Sequence, residues 1–179
     1  MLIVEGPDGA GKTTLIAAIA DYFGPAIELQ GKVVDSDTNP MTDLKAWTEE
    51  NLLKGFHRGL YDRHRLISEP IYGSLMRPRE PAPGFGSPRW LWRMQELFRM
   101  IDPIIIWCLP PYEIVEQNIL NDPENNAVKH FIPQMYNLYT HASANCASSV
   151  KYMYDYTLHS DRARATFLKR LRSDFEDRG

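Results

Sequence analysis

The residues between Gly6 and Thr14 have the types and spacing that bind a polyphosphate. They match the pattern G-x-x-x-x-G-K-[ST]. Glycines let successive backbone N–H groups converge on phosphate oxygens, and a helix that starts at the lysine directs the positive end of its dipole at the same phosphates. The Lys12 side chain can reach the outer phosphates, and the Thr13 hydroxyl can ligate Mg²⁺. We therefore predict that a nucleoside triphosphate with Mg²⁺ binds at Gly6, Asp8, Gly9, Ala10, Gly11, Lys12, Thr13 and Thr14.

The elements on either side of this loop are predicted by the residue pattern. Residues 2–5 form a short apolar strand, and apolar residues recur at helical spacing from Lys12 to Phe23, where Gly24-Pro25 stops the helix. A glycine-rich turn before an ordinary helix is the alternative interpretation. Strand, loop and helix nevertheless follow in the order that phosphate binding requires.

A second group of candidate residues follows the predicted third strand, at about 59–61. Asp62 and Arg63 come directly after it, and open α/β sheets bind ligands at the carboxyl ends of their strands. Asp62 can hold the metal through water or accept the proton of an attacking hydroxyl, and Arg63 can steady the transferring phosphoryl group. A surface ion pair is the alternative. Asp8, Asp35 and Asp37 rival Asp62 as the base, and the sequence does not choose among them.

The rest of the chain alternates between strand-like and helix-like segments. Further strands are predicted within 26–34, at 104–109 and near 151–156, where Tyr152, Tyr154 and Tyr156 would share one packing face. Further helices are predicted at 43–54, 88–100, 112–120, 133–150 and after Asp161, which would cap the last one. This order predicts an α/β fold of three layers, α/β/α, around a mostly parallel five-stranded sheet. A chain of 179 residues suits a single domain, 1–179.

Composition limits the location and the partners. The longest apolar runs are too short to span a bilayer, and no leader-like segment precedes the first strand, so we expect a cytoplasmic protein without a membrane partner. If the protein is viral, this means the host cytoplasm. Cys108 and Cys146 lack metal-type spacing, and Cys108 is expected to be buried.

Charge is distributed unevenly along the chain. The net charge of −3 argues against a broad nucleic-acid surface, yet the window 57–99 holds eight arginines and four acids. This window includes a segment rich in proline and glycine, residues 76–89, which we expect to be a surface loop. Solvated helix faces produce such clusters too. The best candidates in it for contact with DNA are Arg77, Arg79, Arg89 and Trp92.

Residues 5–14, Asp62-Arg63 and Ser68 resemble the thymidylate-kinase-like branch of the P-loop nucleotide kinases. The resemblance implies a P-loop kinase fold and a phosphotransferase that uses ATP and Mg²⁺. It further implies that the acid-arginine pair serves magnesium and acceptor binding. The implied catalytic residues are Lys12, Asp62 and Arg63, with Thr13 and Asp62 at the metal.

The chain departs from that family in its arginines. Kinases of nucleoside monophosphates hold a second phosphate with arginines after strand two and in a lid after strand four. Here no arginine occurs between Thr13 and His57, or between Met100 and Asp161, so the predicted lid, 121–133, offers only Lys129 and His130. Either the arginines of the insert 77–99 replace them, or the acceptor is a neutral hydroxyl. The second interpretation is simpler.

Residues 62–73 are also similar to bacteriophage P-loop kinases that phosphorylate 5-hydroxymethyluracil within DNA, an early step of thymine hypermodification. This resemblance implies a thymine-type acceptor in DNA. The substrate-binding candidates are Asp35, Ser68, Tyr72, Arg77, Arg79, Arg89 and Trp92. Two alternatives stay open: a thymidylate-kinase-like enzyme for a free deoxynucleotide or nucleoside, and a non-kinase NTPase switch. A switch normally has an acid at the end of a long apolar strand, where this chain has Leu109-Pro110-Pro111.

Overall fold

The structure is a computed structural model that describes residues 1–30, 58–76, 88–123 and 127–178. Its strands are β1 Leu2–Glu5, β2 Glu28–Gln30, β3 Gly59–Asp62, β4 Ile104–Cys108 and β5 Lys151–Tyr154. Its α-helices are α1 Lys12–Phe23, α2 Arg65–Met76, α3 Pro88–Ile101, α4 Tyr112–Asn121, α5 Ile132–Ala144 and α6 Asp161–Glu176. Short 3₁₀ turns lie at Gly24–Ala26 and Lys129–Phe131.

The five strands form one parallel sheet in the order β2-β3-β1-β4-β5. Leu2 of β1 pairs with Leu60 of β3 on one side and with Ile104 of β4 on the other. Since β1 is central and all strands run the same way, the loop after β1 and the residues after β3 emerge at one edge. The predicted α/β fold with a five-stranded, mostly parallel sheet is confirmed.

The core consists mainly of the central strands and the helices packed on the two faces of the sheet. Every residue of β1 and of β4 is buried. On one face α1 packs against α6, where the Phe23 and Phe175 rings lie 5.5 Å apart. On the other, α2 packs against α5, where Tyr72 meets Tyr139 with ring centroids 6.2 Å apart. Each large aliphatic side chain buried here stabilises the fold by about 1.5–3 kcal/mol.

Helix α2 was not predicted from the sequence. Pro70 and Gly73 inside it are both poor helix formers, and the segment reads as a loop by residue type. Packing overrides this preference, since Leu66 and Ile71 of α2 are buried. Tertiary contacts therefore supply the helix that follows Arg63.

Several predicted boundaries and one predicted cap are wrong. Helix α5 ends at Ala144 rather than at residue 150, and the Asn145 side-chain amide caps it by donating to the His141 carbonyl at 2.8 Å. Ser160, not Asp161, caps α6, because its hydroxyl accepts from the Ala163 N–H at 3.3 Å. Strand β4 ends at Cys108, one residue early.

The tyrosine ladder is confirmed for two of its three members. Tyr152 and Tyr154 both pack on Phe167 of α6, with ring centroids 5.5 and 5.2 Å from it. Strand β5 ends at Tyr154, so Tyr156 lies beyond the strand and does not continue its alternation. Tyr156 contacts Gly11 in the loop between β1 and α1 instead.

Several predictions concern residues outside the described ranges. These are the helix 43–54, most of the proline- and glycine-rich loop, and the candidates Asp35, Asp37, Arg77 and Arg79. None of the described helices combines the length and the apolar composition needed to cross a membrane.

Candidate active site

The loop between β1 and α1 has the backbone that a phosphate cradle needs. Gly6 has a φ of +150°, and a Cβ there would lie 2.4 Å from the Cys108 carbonyl oxygen, so glycine lets this loop approach β4. Gly11 has a φ of +80°, and a Cβ there would lie 2.9 Å from the Tyr156 ring. Side chains at either position would push the loop away from its neighbours.

Lys12 lies across this loop. Only 7% of the residue is exposed, and its Nζ donates to the Pro7 carbonyl at 2.6 Å. Burial and the nearby Arg63 lower the pKa of Lys12 to about 8, although Asp8 and Asp62 oppose the shift. A buried ammonium with one neutral partner is stabilised by an anion. The site therefore favours a phosphate near Lys12.

One cavity of about 670 Å³ brings the predicted residues together: residues 8–14, Asp62 and Arg63 line it. Thr13 and Thr14 are exposed within this set. The Asp62 Oδ1 atom is buried and has no hydrogen-bond partner among the described residues. A hydroxyl and an unpaired carboxylate oxygen are the hard oxygen ligands that Mg²⁺ and its bound waters take. The residues present thus fit a nucleotide with Mg²⁺.

Arg63 is tied to the loop by Asp8 and Tyr72. Its guanidinium donates to Asp8 at 2.5 Å and to the Tyr72 hydroxyl at 2.7 Å, and that hydroxyl donates to Asp8 at 2.8 Å. Arg63 has a φ of +68°, unusual for a residue with a side chain, and its N–H donates to the Val4 carbonyl at 2.9 Å. Strain of this kind persists where surrounding contacts hold it.

Electrostatics make Asp8 a weak base. Burial alone would raise the pKa of Asp8, but Arg63 and Lys12 outweigh burial and lower it. For Arg63, burial acts to lower the pKa, yet Tyr72, Tyr139 and Asp8 raise it well above its ordinary value. The pair therefore stays ionised. Asp8 is thus better suited to holding Arg63 than to taking a proton.

Glu5 is a residue that sequence reasoning missed. Its side chain is fully buried at the end of β1, where it accepts from the His64 N–H at 2.5 Å and from the Ser68 hydroxyl at 3.0 Å. Burial raises the pKa of Glu5 from 4.5 to about 7, although these hydrogen bonds and Arg63 act in the opposite direction. The signal for Glu5 in the sequence is its place as an acidic residue at the end of an apolar strand. Its proton affinity depends on residues far away in the sequence.

Two candidates for substrate binding, Ser68 and Tyr72, lie next to this site on α2. The Ser68 hydroxyl bridges Glu5 and the Tyr139 hydroxyl, which lies 3.3 Å from it. Arg89 and Trp92 lie elsewhere, on α3. Both are exposed, Trp92 by 64%, and neither lines the cavity with Lys12.

Several residues that line the cavity were not predicted. They include Asn118 of α4, Asp122 directly after it, Tyr156 and His159 after β5, and Arg164 of α6. No local motif marks these residues. They meet because α4, β5 and α6 are adjacent in the fold.

Two residues without a predicted role are buried. Burial lowers the pKa of His64 to about 3, so its ring is neutral, and it packs on Phe98 with ring centroids 4.8 Å apart. The Cys108 thiol is buried, as predicted, and burial raises its pKa to about 12. Neither group titrates near neutral pH.

Comparison with known proteins identifies the fold. No protein-family model and no curated protein match the sequence. The YorR protein of Bacillus subtilis, solved with phosphorylated GDP, aligns over 96% of this chain and 95% of its own, with 15% identity and a TM-score of 0.61. Deoxyadenosine kinase from M. mycoides with bound dCTP aligns over 97% and 100%, with 15% identity and a TM-score of 0.56.

The same kinase with bound dATP aligns over 96% of this chain and 98% of its own, with 11% identity and a TM-score of 0.55. At these identities the likeness concerns the fold, which is that of P-loop kinases. It extends over nearly the whole of each chain.

Proposed function

We propose that this protein is a kinase that transfers the γ-phosphoryl group of ATP to a hydroxyl of a nucleoside-type acceptor. The observation that carries the proposal is a cavity in which Lys12 and Thr13, at the start of α1, meet Asp62 and Arg63, at the carboxyl end of β3. The first pair suits the phosphates and Mg²⁺ of a donor, and the second suits transfer to an acceptor. The shared fold with a deoxyadenosine kinase supports the same interpretation.

The donor's phosphates would lie in the loop 6–13. Backbone N–H groups and Lys12 would bind the β- and γ-phosphates, with Lys12 exchanging the Pro7 carbonyl for a phosphate oxygen. Thr13 and Asp62 would hold Mg²⁺, directly or through water. When bound, the metal neutralises charge on the outer phosphates. Arg63 would stabilise the negative charge of the γ-phosphoryl group during its transfer.

The transfer needs a proton acceptor. The acceptor oxygen bonds to the γ-phosphorus, the bond from that phosphorus to its bridging oxygen breaks, and ADP leaves with the electron pair. The hydroxyl proton then goes to a carboxylate. Asp62 is the candidate, because it lines the cavity with Lys12 and Thr13. Asp8, in contrast, holds Arg63, and the fully buried Glu5 does not line the cavity.

The acceptor is proposed to be a neutral hydroxyl. A kinase of nucleoside monophosphates would hold the second phosphate with arginines, but none occurs between Thr13 and His57 or between Met100 and Asp161. Lys129 and His130 of the predicted lid do not line the cavity with Lys12. A nucleoside hydroxyl requires no such clamp. The finer proposal is 5-hydroxymethyluracil within DNA, and it is supported by the exposed Arg89 and Trp92 on α3, which could contact a DNA backbone and a base.

The test offers γ-labelled ATP with Mg²⁺ to four acceptors in parallel: thymidine, deoxyadenosine, thymidine monophosphate, and duplex DNA with or without 5-hydroxymethyluracil. Label in a nucleoside monophosphate or in the modified duplex supports a hydroxyl acceptor. Label in thymidine diphosphate alone overturns the hydroxyl proposal in favour of a monophosphate kinase. ATP hydrolysis without any labelled acceptor overturns the kinase proposal in favour of an NTPase switch.

A further inference from the structure

Asn118 and Tyr156 both contact the loop between β1 and α1. The Asn118 side-chain amide donates to the Gly9 carbonyl at 2.8 Å and to the Tyr156 hydroxyl at 2.9 Å. The Tyr156 ring lies against Gly11, so close that a Cβ there would be 2.9 Å from the ring. Both side chains also line the cavity that contains Lys12.

We infer that Asn118 and Tyr156 form a brace that holds residues 9–11 in their nucleotide-binding shape and sets the affinity for the donor. The inference rests on the proposed function, because it assigns residues to the donor half of that site. Asn118 and Tyr156 are positioning residues for the loop, and the Tyr156 hydroxyl additionally contacts the donor nucleotide.

The two hydrogen bonds that the Asn118 amide donates support its role as a brace of the loop. An amide nitrogen carries two hydrogens, and Asn118 uses one on Gly9 and one on Tyr156. The bond to the Gly9 carbonyl sets the orientation of that peptide in a loop where Gly9 has a φ of +73° and Gly11 of +80°. Without it, glycine backbones have wide conformational freedom, and the N–H groups that face a phosphate lose their common direction.

The Tyr156 hydroxyl donates its hydrogen to none of the described residues. It accepts from Asn118, so its own hydrogen remains available for donation into the cavity that it lines. The Tyr156 ring lies against Gly11 of the loop that we propose binds the donor's phosphates. Phosphate or ribose oxygens are the acceptors that such a hydroxyl meets. The brace should therefore affect the donor and not the acceptor.

The experiment uses the full chain and three variants: Asn118→Ala, Tyr156→Phe and, as the matched control, Tyr136→Phe. The Tyr136 hydroxyl also makes one hydrogen bond, to the Pro110 carbonyl at 2.8 Å, but it does not line this cavity. Binding of ADP with Mg²⁺ is measured by calorimetry, which needs no acceptor. Thermal unfolding without nucleotide, and KM for ATP and for the acceptor, complete the set.

We expect Tyr156→Phe to weaken ADP binding about 3- to 10-fold, as the loss of one hydrogen bond implies, and to raise KM for ATP by a similar factor. KM for the acceptor and the midpoint of unfolding should stay near those of Tyr136→Phe. Asn118→Ala should weaken ADP binding further, because it frees the Gly9 carbonyl as well.

Unchanged ADP affinity in Tyr156→Phe and Asn118→Ala, with normal binding by the wild type, overturns the brace alone. An equal loss in Tyr136→Phe overturns it too, because the effect would then be general. Failure of the wild-type protein to bind ADP overturns the proposed function itself. If Asn118→Ala does not fold, Tyr156→Phe decides the matter, since it keeps the ring and removes one oxygen.

Discussion

Replacing Glu5 with glutamine should remove a pH dependence of folding that this buried carboxyl creates. Burial raises the pKa of Glu5 from 4.5 to about 7, against the hydrogen bonds from His64 and Ser68. Between these two values the folded protein keeps a proton that the unfolded chain has released. Stability therefore falls as the pH rises through this interval, and the contribution of Glu5 is constant above about pH 7.

The size of the effect follows from the two pKa values. Each tenfold change in proton affinity is about 1.4 kcal/mol, so ionising Glu5 in the folded protein lowers the free energy of unfolding by about 3 kcal/mol. This is a large part of the free energy of unfolding of a typical domain, which is about 5–15 kcal/mol. Glutamine is neutral throughout, so its own cost is an offset that does not change with pH.

The assay is urea unfolding of wild type, Glu5→Gln and the control Glu113→Gln, whose residue is exposed in the first turn of α4. The free energy of unfolding is measured from about pH 5 to about pH 8, with salt added against association near the pI of 5.9. The difference between wild type and Glu5→Gln should change by about 3 kcal/mol across this range, and the control should run parallel to wild type. Parallel curves for wild type and Glu5→Gln would refute the buried, proton-binding carboxyl.

Three further outcomes are expected. Lys12→Ala should abolish phosphoryl transfer to every acceptor in the labelled-ATP assay, because the Lys12 ammonium lies within the loop proposed to bind the donor's phosphates, where its Nζ reaches the Pro7 carbonyl. Transfer at the wild-type rate would contradict this role. Asp62→Asn should lower kcat about 100-fold or more in the same assay, because it removes the proposed proton-accepting carboxylate from the cavity, and an unchanged kcat would exclude Asp62 as the base. Arg89→Ala should weaken duplex DNA binding and make its salt dependence shallower by about one counterion, as measured by fluorescence anisotropy, and an unchanged salt slope would remove α3 from the DNA-binding proposal.

Much of the fold and the donor half of the site could be predicted from the sequence. The phosphate-binding loop is contiguous, so its glycines, Lys12 and Thr13 can be recognised without knowing what surrounds them. The parallel sheet was predicted from the alternation of strands and helices and from the apolar run of β4. A strand that is buried on both faces of a parallel sheet consists of consecutive apolar residues, and such a run can be recognised locally. Helix α2 escaped prediction because Pro70 and Gly73 oppose it locally, whereas the packing of Ile71 favours it.

The sequence by itself predicted a polyphosphate site between β1 and α1, and it predicted Asp62 and Arg63 at the carboxyl end of a strand in the same sheet. Only the tertiary structure decided what these groups do electrostatically. Glu5 keeps its proton up to about pH 7 because α2 buries it, and Asp8 is held as an anion by Arg63. Tyr156 and Asn118 reach the loop because β5 and α4 lie beside it. Burial, proton affinity and contact depend on residues brought together across the chain, and residue type and spacing do not encode them.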